Sequence, residues 1–269
     1  MHEHTRFATE IAREAGAILR EGQRHPFAID MKGSRDLVTS VDIASEKLIL
    51  GRIRERYPDD RIVAEESAPV APGEGTGTCS RAWIVDPLDG TNNFAHGYPF
   101  YCVAIAVEED GELVTGVVYD PLRDEMFVGE RGAGATLNGE RIRVSDASHL
   151  DESIVATGFP YDRSEAGENN ICNLNRFILS VRGIRRAGSA ELDLAYVACG
   201  RLDGFWELGL KIWDVAAGGL LVLEAGGAVS LLDGSDWDHS RDDIVASNGR
   251  VHGEMLTVLG SPEPGVDGS

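Results

Sequence analysis

The sequence predicts an α+β fold, because helical and strand patterns are both strong and occupy separate stretches. Apolar residues recur at helical spacing from about residue 5 to residue 21. Two hairpin signals, Asp110-Gly111 and Asn138-Gly139, join short alternating runs of β-prone residues. The 269 residues supply enough material for one large domain or two closely joined lobes.

The remaining elements of the N-terminal half follow from the same patterns. An extended piece at 37–39 precedes a helix for which Ser40 is the expected N-cap. A strand at 61–64 runs into two acids, and a loop rich in Gly and Pro occupies residues 68–78. The apolar strand 83–85 follows and ends on another acid. Two acid-tipped strands therefore lie close in sequence.

The C-terminal half predicts a second lobe of mixed helices and strands. Its elements are expected at 153–157, 168–180, 183–186, 189–199, 203–207, 214–224 and 244–246. We therefore expect an N-terminal α+β lobe at 1–150, a C-terminal α/β lobe at 151–260 and a disordered tail at 261–269.

Composition and charge argue against several classes of protein. The net charge of −20 disfavours a nucleic-acid-binding surface and docking on an anionic membrane. No apolar run approaches the length of a membrane span, and the N-terminus has no apolar signal core. The cysteines form no C-x-x-C pair, which is typical of reduced thiols in a cytoplasmic protein; they are Cys79, Cys102, Cys172 and Cys199.

The stretch W-I-V-D-P-L-D-G-T-N-N-F at 83–94 carries the strongest chemical signal. Asp86 and Asp89 are expected in a turn directly after a buried strand. Two acids at this spacing can reach one hard cation, and the carbonyl of Leu88 can bind between them. The same residue types also form plain turns, so this stretch alone leaves a structural turn as the alternative.

A phosphate-binding site is expected beside these acids. If a helix begins near Thr91, the amides of Gly90 and Thr91 point outward at its N-terminus, where a phosphate binds well. Metal ligands next to a phosphate-binding site indicate metal-assisted phosphate chemistry.

Three further acids stand at the ends of predicted elements. Asp42 lies in the first turn of a helix, Glu65 follows a strand, and Asp214 begins a helix. Each has an ordinary structural interpretation: dipole compensation, a solvated loop and an N-cap, respectively. None of the three indicates a functional site by itself.

Four stretches taken together resemble the inositol monophosphatase family. They are D-L-V-T-S-V-D (36–42), A-E-E-S (64–67), W-I-V-D-P-L-D-G-T-N-N-F (83–94) and W-D-V-A-A-G (213–218), and they match in residue type, order and approximate spacing. The resemblance runs from about residue 5 to residue 260. The segment 188–207 is most similar to the bacterial inositol-1-monophosphatase branch.

The resemblance implies a layered α-β-α-β-α sandwich of the sugar-phosphatase type, which is usually a homodimer. It also implies a lithium-sensitive, Mg²⁺-dependent enzyme that hydrolyses inositol-1-phosphate to inositol and phosphate by a metal-activated water. Fructose-1,6-bisphosphate, histidinol phosphate and nucleotide phosphates stay open as substrates, because the metal site is common to the family.

The metal ligands of the family carry over by resemblance onto five positions. Glu65, Asp86 and the Leu88 carbonyl would hold a first Mg²⁺, and Asp86, Asp89 and Asp214 would hold a second. A third, weaker ion would lie near Glu65.

Catalytic and substrate-binding roles carry over in the same way. Thr91 with Asp42 would orient and activate the attacking water, and Glu65 counts among the catalytic residues. The amides of Gly90 and Thr91 would bind the phosphate, and Glu207 would bind a sugar or inositol hydroxyl. The other substrate-binding positions are Gly188, Ser189, Ala190 and the mobile-loop Lys32.

Three observations bear on this interpretation. His and Cys are absent from the motifs, which argues against a phosphohistidine or phosphocysteine route. A non-catalytic binding module, the alternative from another class, would be expected to have lost acids, and here all of them are present. Glu191 stands where the family pattern expects a small neutral residue, and its charge would disfavour a second phosphate on the substrate.

Overall fold

The computed structural model describes residues 1–33, 36–67, 80–160 and 169–261. The predicted loop at 68–78, Cys79 and the tail from residue 262 onward lie outside the described residues. The first residue of the helix predicted at 168–180 also lies outside them.

Helices α1 (Glu3–Gly22) and α2 (Ser40–Arg56) pack against each other and cover one face of the larger sheet. Their apolar stripes are buried, and Ile11, Leu19 and Ile49 have no exposed surface. Burial of these stripes against the sheet stabilises both helices far more than helix propensity does.

The N-cap of α2 is Thr39, so the expected cap at Ser40 is wrong by one residue. The Thr39 hydroxyl accepts hydrogen bonds from the amides of Val41 and Asp42. In return, the Asp42 carboxylate accepts a hydrogen bond from the Thr39 amide at 2.9 Å. This reciprocal pair holds the Asp42 side chain across the start of the helix.

A short antiparallel ribbon, β1 (Ile29–Met31) with β2 (Leu37–Thr39), precedes α2. The larger sheet has, within the described residues, seven strands in chain order. They are β3 (Arg61–Ala64), β4 (Arg81–Asp89), β5 (Cys102–Glu109), β6 (Glu112–Asp120), β7 (Glu125–Glu130), β8 (Gly134–Leu137) and β9 (Glu140–Arg141). The predicted hairpins at 110–111 and 138–139 are confirmed, and all four turn residues have positive φ.

Strand β4 is longer than predicted, and the turn expected at Asp86–Asp89 is wrong. Pairing with β5 continues to Asp86 opposite Ala104, shifts register, and resumes at Asp89 opposite Cys102. Pro87 falls inside this shift, where the sheet does not need its missing amide hydrogen. Both acids are therefore held by the sheet.

The second sheet lies in the C-terminal half, with the strand order β11-β10-β12-β14-β13. Its strands are β10 (Ile154–Thr157), β11 (Gly183–Arg185), β12 (Gly204–Leu208), β13 (Ala228–Ser230) and β14 (Asp243–Ser247). The later helices are α3 (Thr91–His96), α4 (Ile171–Phe177), α5 (Ala190–Ala198), α6 (Ala216–Glu224) and α7 (His252–Leu259). Helix α4 is shorter than predicted.

The elements form five layers. The pair α1 and α2 covers the larger sheet from outside, α5 and α6 lie between the two sheets, and α4 and α7 cover the second sheet. The predicted α-β-α-β-α sandwich is confirmed. The division into lobes at residue 150 stays a prediction, because residues of both halves share the central apolar core.

None of the helices in the described part of the chain is both long enough and apolar enough to cross a membrane.

Candidate active site

Asp42 and Thr91 meet where the first turns of α2 and α3 face each other. The Thr91 hydroxyl donates to Asp42 Oδ1 at 2.9 Å, while Asp42 Oδ2 accepts from Thr39. Asp42 is completely buried, and this burial raises its pKa. Asp42 therefore links α2 to α3 in addition to compensating the helix dipole.

The end of β4 is held by its own polar groups. Asp86 Oδ1 accepts from the Leu88 amide at 2.9 Å, and the Leu88 carbonyl lies 3.0 Å from the Thr91 hydroxyl. The Ser45 hydroxyl of α2 donates to the Pro87 carbonyl at 2.9 Å. These bonds fix the strand end against α2 and α3.

Asp89 joins the N-terminal motif to the C-terminal half. Its Oδ2 accepts from the Ser189 hydroxyl at 2.6 Å and from the Glu191 amide at 2.8 Å. The Cys102 thiol lies 3.7 Å from the same oxygen. Burial raises the pKa of Asp89, and these donors oppose the increase.

Asp214 lies in the 3-10 turn Ile212–Asp214, which comes just before α6. Its Oδ2 accepts from the Lys211 amide at 2.6 Å. The pKa of Asp214 is raised well above the ordinary value, first by burial and then by the charges of Glu65 and Asp89. The same causes raise the pKa of Asp86. The predicted acids thus lie close enough to repel one another.

Glu65 is paired with Lys32, which comes directly after β1. The Lys32 Nζ lies 3.0 Å from Glu65 Oε1 and 2.5 Å from Glu66 Oε1. Burial alone would lower the pKa of Lys32, but the two carboxylates raise it overall. Lys32 therefore contacts an expected metal ligand, whereas the family resemblance implies a contact with the substrate.

No three Asp, Glu, His or Cys side chains of the described residues are arranged as a formed metal site. Protein donors bind Asp89 and Asp214, and Lys32 binds Glu65. The set nevertheless fits Mg²⁺ chemically, because it offers carboxylate and carbonyl oxygens, and the buried Asp86 lies near the negative charges of Glu65, Asp89 and Asp214. Burial raises the pKa values of Asp86 and Asp214, repulsion among the carboxylates raises them further, and a cation among them would relieve that repulsion.

A pocket of about 450 Å³ opens beside Asp89 and Asp214. Four further predicted residues line it: Gly188, Ser189, Ala190 and Glu207. The other predicted site residues are not among its lining residues; they are Lys32, Asp42, Glu65, Asp86, Leu88, Gly90 and Thr91.

Gly90 turns the chain between β4 and α3 with a φ of 94°. A Cβ at this position would lie 3.0 Å from the Phe100 carbonyl oxygen and 3.3 Å from that of Gly188. Only glycine accepts both this φ and this close approach. The backbone at the start of α3 is therefore held against the segment that lines the pocket.

Glu207 lies against the backbone of Gly158 on the pocket wall. A Cβ on Gly158 would fall 1.9 Å from Glu207 Oε1, so only glycine leaves room for the carboxylate in this position. Burial raises the pKa of Glu207 to about 8, and the nearby Arg186 opposes the increase.

Arg186 and Asp193 also line the pocket, and the sequence reasoning missed both. Asp193 is buried, and its pKa is raised well above the ordinary value by burial and by Glu207. It follows Ala190 by three residues in α5, so helical spacing could have identified it as a pocket residue. No comparable sequence signal marks Arg186.

The five-layer fold and its acid-lined pocket define a protein of the sugar-phosphatase architecture. A family model described as "Inositol monophosphatase family" matches residues 1–260, and the chain belongs to that family. The predicted resemblance is confirmed.

The chain is similar to proteins that carry two different names. Nus factor SuhB of Salmonella typhimurium is 46% identical over 262 residues, which are 96% of each chain. Inositol-1-monophosphatase of Synechocystis sp. is 44% identical over 253 residues, which are 94% of this chain and 87% of that protein. The solved inositol monophosphatase of Anabaena (Nostoc) sp. has a TM-score of 0.85 at 41% identity, covering 95% of this chain and 94% of its own. These findings support a phosphatase and leave its substrate open.

Proposed function

We propose that this protein is a Mg²⁺-dependent phosphatase that hydrolyses the phosphate monoester of a polyol, with inositol-1-phosphate as the leading substrate. The observation that carries the proposal is one pocket in which Asp89 and Asp214 meet Glu207 and the segment 188–190. A phosphate bound beside the two aspartates would leave its alcohol facing hydroxyl-binding groups.

Thr91 and Asp42 would take the proton of the attacking water. The Thr91 hydroxyl donates to Asp42, and burial raises the pKa of Asp42, so this carboxylate accepts a proton more readily than an exposed one. The Thr91 oxygen can accept a proton from water while it passes its own to Asp42.

The proposed metal ligands are the residues predicted from the sequence: Glu65, Asp86, the Leu88 carbonyl, Asp89 and Asp214. When bound there, Mg²⁺ supplies positive charge to the phosphoryl oxygens and to the leaving alkoxide. The amides of Gly90 and Thr91 would orient the phosphate. Lys32 would release Glu65, and its ammonium group could then face the anionic substrate.

The leaving alcohol would be bound by polar groups of the pocket wall. Asp193 and Glu207 offer carboxyl oxygens, and Arg186 offers guanidinium donors. Such a set suits a polyol ring that carries several hydroxyl groups.

The test is a kcat/KM panel with Mg²⁺ and with EDTA. It compares inositol-1-phosphate, fructose-1,6-bisphosphate, histidinol phosphate and 3′-phosphoadenosine 5′-phosphate. A clear Mg²⁺-dependent preference for inositol-1-phosphate supports the proposal. A preference for another compound keeps the reaction and changes the substrate, and absence of turnover on all four favours the binding module.

The relative named Nus factor SuhB raises a second candidate, a Nus factor role for this chain. The identity of 46% over nearly the whole chain favours it, and the net charge of −20 points to a protein partner and not to nucleic acid. The test is expression in Salmonella that lacks its own SuhB. If an Asp89→Asn variant still corrects the defect caused by the loss of SuhB, this role is separate from hydrolysis. If correction requires Asp89, the role depends on hydrolysis.

We further propose a cytoplasmic homodimer inhibited by Li⁺, as the family resemblance implies. Light scattering should give twice the chain mass of 29.0 kDa. Turnover should fall with LiCl and stay constant with equal NaCl. A particle with the mass of one chain would contradict the homodimer. Equal effects of LiCl and NaCl would contradict inhibition by Li⁺.

A further inference from the structure

Glu191 lies in the first turn of α5, and its side chain is completely buried. Its neighbours Ala190 and Asp193 line the pocket, but Glu191 does not. Its carboxylate turns toward α6, where Oε1 accepts from the Ala217 amide at 3.1 Å and Oε2 accepts from the Gly218 amide. The charge of Glu191 therefore does not face the pocket, and its expected effect of disfavouring a second phosphate on the substrate stays a prediction.

The two amides belong to the first turn of α6, whose N-cap residue Val215 makes no side-chain capping bond. The first amides of a helix have no partner within the helix and carry partial positive charge. Glu191 therefore caps α6 from a different helix.

The backbone of Glu191 is bound to the site at the same time. Its amide donates to Asp89 Oδ2 at 2.8 Å, and the Ser189 hydroxyl donates to the same oxygen at 2.6 Å. On its other side, α6 follows directly after the turn that carries Asp214. One residue thus connects Asp89 with the helix behind Asp214.

Close packing leaves this connection little freedom. A Cβ on Gly218 would lie 2.6 Å from Glu191 Oε2 and 2.5 Å from Leu194 Cβ, so α5 and α6 are in tight contact. A Cβ on Gly116 would lie 2.5 Å from the Ala217 carbonyl oxygen, so β6 holds the same turn of α6 from another side.

We propose that Glu191 is a positioning residue of the metal site. It fixes Asp89 and Asp214 relative to each other, so that both can hold one cation, and it does not touch the substrate. The inference rests on the proposed function and extends it to a residue that lies behind the pocket wall.

The test compares Glu191→Asp, which keeps the charge but shortens the side chain, with Glu191→Gln. The matched control is Glu224→Gln at the other end of α6. Glu224 accepts from the amides of Gly132 and Gly134, both at 2.8 Å, so the control disturbs the same kind of bond on the same helix. Mg²⁺ binding to the metal-free protein is measured by calorimetry, together with Tm in EDTA, kcat and KM.

Glu191→Asp and Glu191→Gln should each weaken Mg²⁺ binding by about tenfold or more, the loss expected from one charge-assisted hydrogen bond. Both should lower kcat and leave KM for inositol-1-phosphate within about twofold of wild type. Glu224→Gln should bind Mg²⁺ like the wild type. Melting in EDTA identifies a variant that fails to fold, and the other variant then carries the test.

Unchanged Mg²⁺ affinity, or a change in KM alone, would overturn the proposal. Full affinity in Glu191→Asp with reduced affinity in Glu191→Gln would also overturn it, because charge and not position would then matter. Equally weakened Mg²⁺ binding in Glu224→Gln would also overturn it, because the loss would then reflect the general stability of α6. A wild-type chain that binds no Mg²⁺ would instead refute the proposed function itself.

Discussion

The Thr91 hydroxyl lies 2.9 Å from Asp42 Oδ1, and this hydrogen bond joins the first turn of α3 to the first turn of α2. The other oxygen of Asp42 accepts from the Thr39 amide, also at 2.9 Å. One carboxylate therefore caps a helix with Oδ2 and holds the proposed catalytic hydroxyl with Oδ1. Its effects on stability and on turnover should be separable.

Asp42→Asn should lower kcat by about 10²-fold or more and leave KM nearly unchanged, because the amide cannot take up the proton that Thr91 passes on. Steady-state kinetics with inositol-1-phosphate measure this. The control, Thr39→Ser, keeps the hydroxyl that caps α2 and donates to Asp42 Oδ2, and it should keep kcat. A loss confined to KM in Asp42→Asn, or an equal loss of kcat in Thr39→Ser, would remove Asp42 from the proton path.

Lys32→Met should tighten Mg²⁺ binding to the substrate-free protein by about fivefold, because the ammonium group and the metal ion compete for Glu65. Calorimetric titration of the metal-free protein measures the change. Lys47→Met serves as the control, since it removes the same charge from an exposed site on α2. Weaker binding in Lys32→Met, or equal tightening in Lys47→Met, would contradict this competition.

The stability contributed by Glu207 should depend on pH. Burial raises its pKa from 4.5 to about 8, so the folded chain binds more protons than the unfolded chain between these values. This contribution is fully present below about pH 4.5 and is lost as the pH rises through about 8.

Glu207→Gln cannot ionise, so its Tm in EDTA should rise relative to the wild type as the pH increases across this window. Thermal melts at a series of pH values measure the difference. The exposed control Glu10→Gln should follow the wild type. A difference in Tm that is the same at both ends of the window would show that Glu207 ionises normally.

Gly158→Ala should displace the Glu207 carboxylate, because the added Cβ would lie 1.9 Å from Oε1. We expect kcat/KM to fall about tenfold for inositol-1-phosphate and much less for p-nitrophenyl phosphate, which has no ring hydroxyls. Gly51→Ala in α2 is the control, since nothing lies within 4 Å of its added Cβ. Equal losses on the two substrates would mean that Glu207 does not bind the alcohol.

The sequence predicts much of this fold because its strongest signals are local. The hairpins at 110–111 and 138–139 and the strand at 61–64 depend on nearby residues, and the structure contains them. The stretch Asp86–Asp89 has the residues of a turn, but pairing with β5 on both sides of Pro87 keeps it in β4. Tertiary pairing overrides local turn chemistry there, and a sequence pattern cannot show such pairing.

The candidate site was less visible where it depends on contacts between distant elements. The acids could be named from motifs, and the structure brings Asp89 and Asp214 to the wall of one pocket. The direction of the Glu191 side chain follows from the packing of α5 against α6, and the pairing of Lys32 with Glu65 follows from the position of β1. Neither relationship has a signal in the spacing of residues.

Mg²⁺-dependent release of phosphate from inositol-1-phosphate by Asp89→Asn tests the central claim most directly. The control is Asp124→Asn, an exposed aspartate paired with Arg13. We predict that wild type and Asp124→Asn release phosphate only with added Mg²⁺, and that Asp89→Asn is slower by about 10²-fold or more. Release by Asp89→Asn at the wild-type rate would contradict the assignment of the active site to this acid-lined pocket.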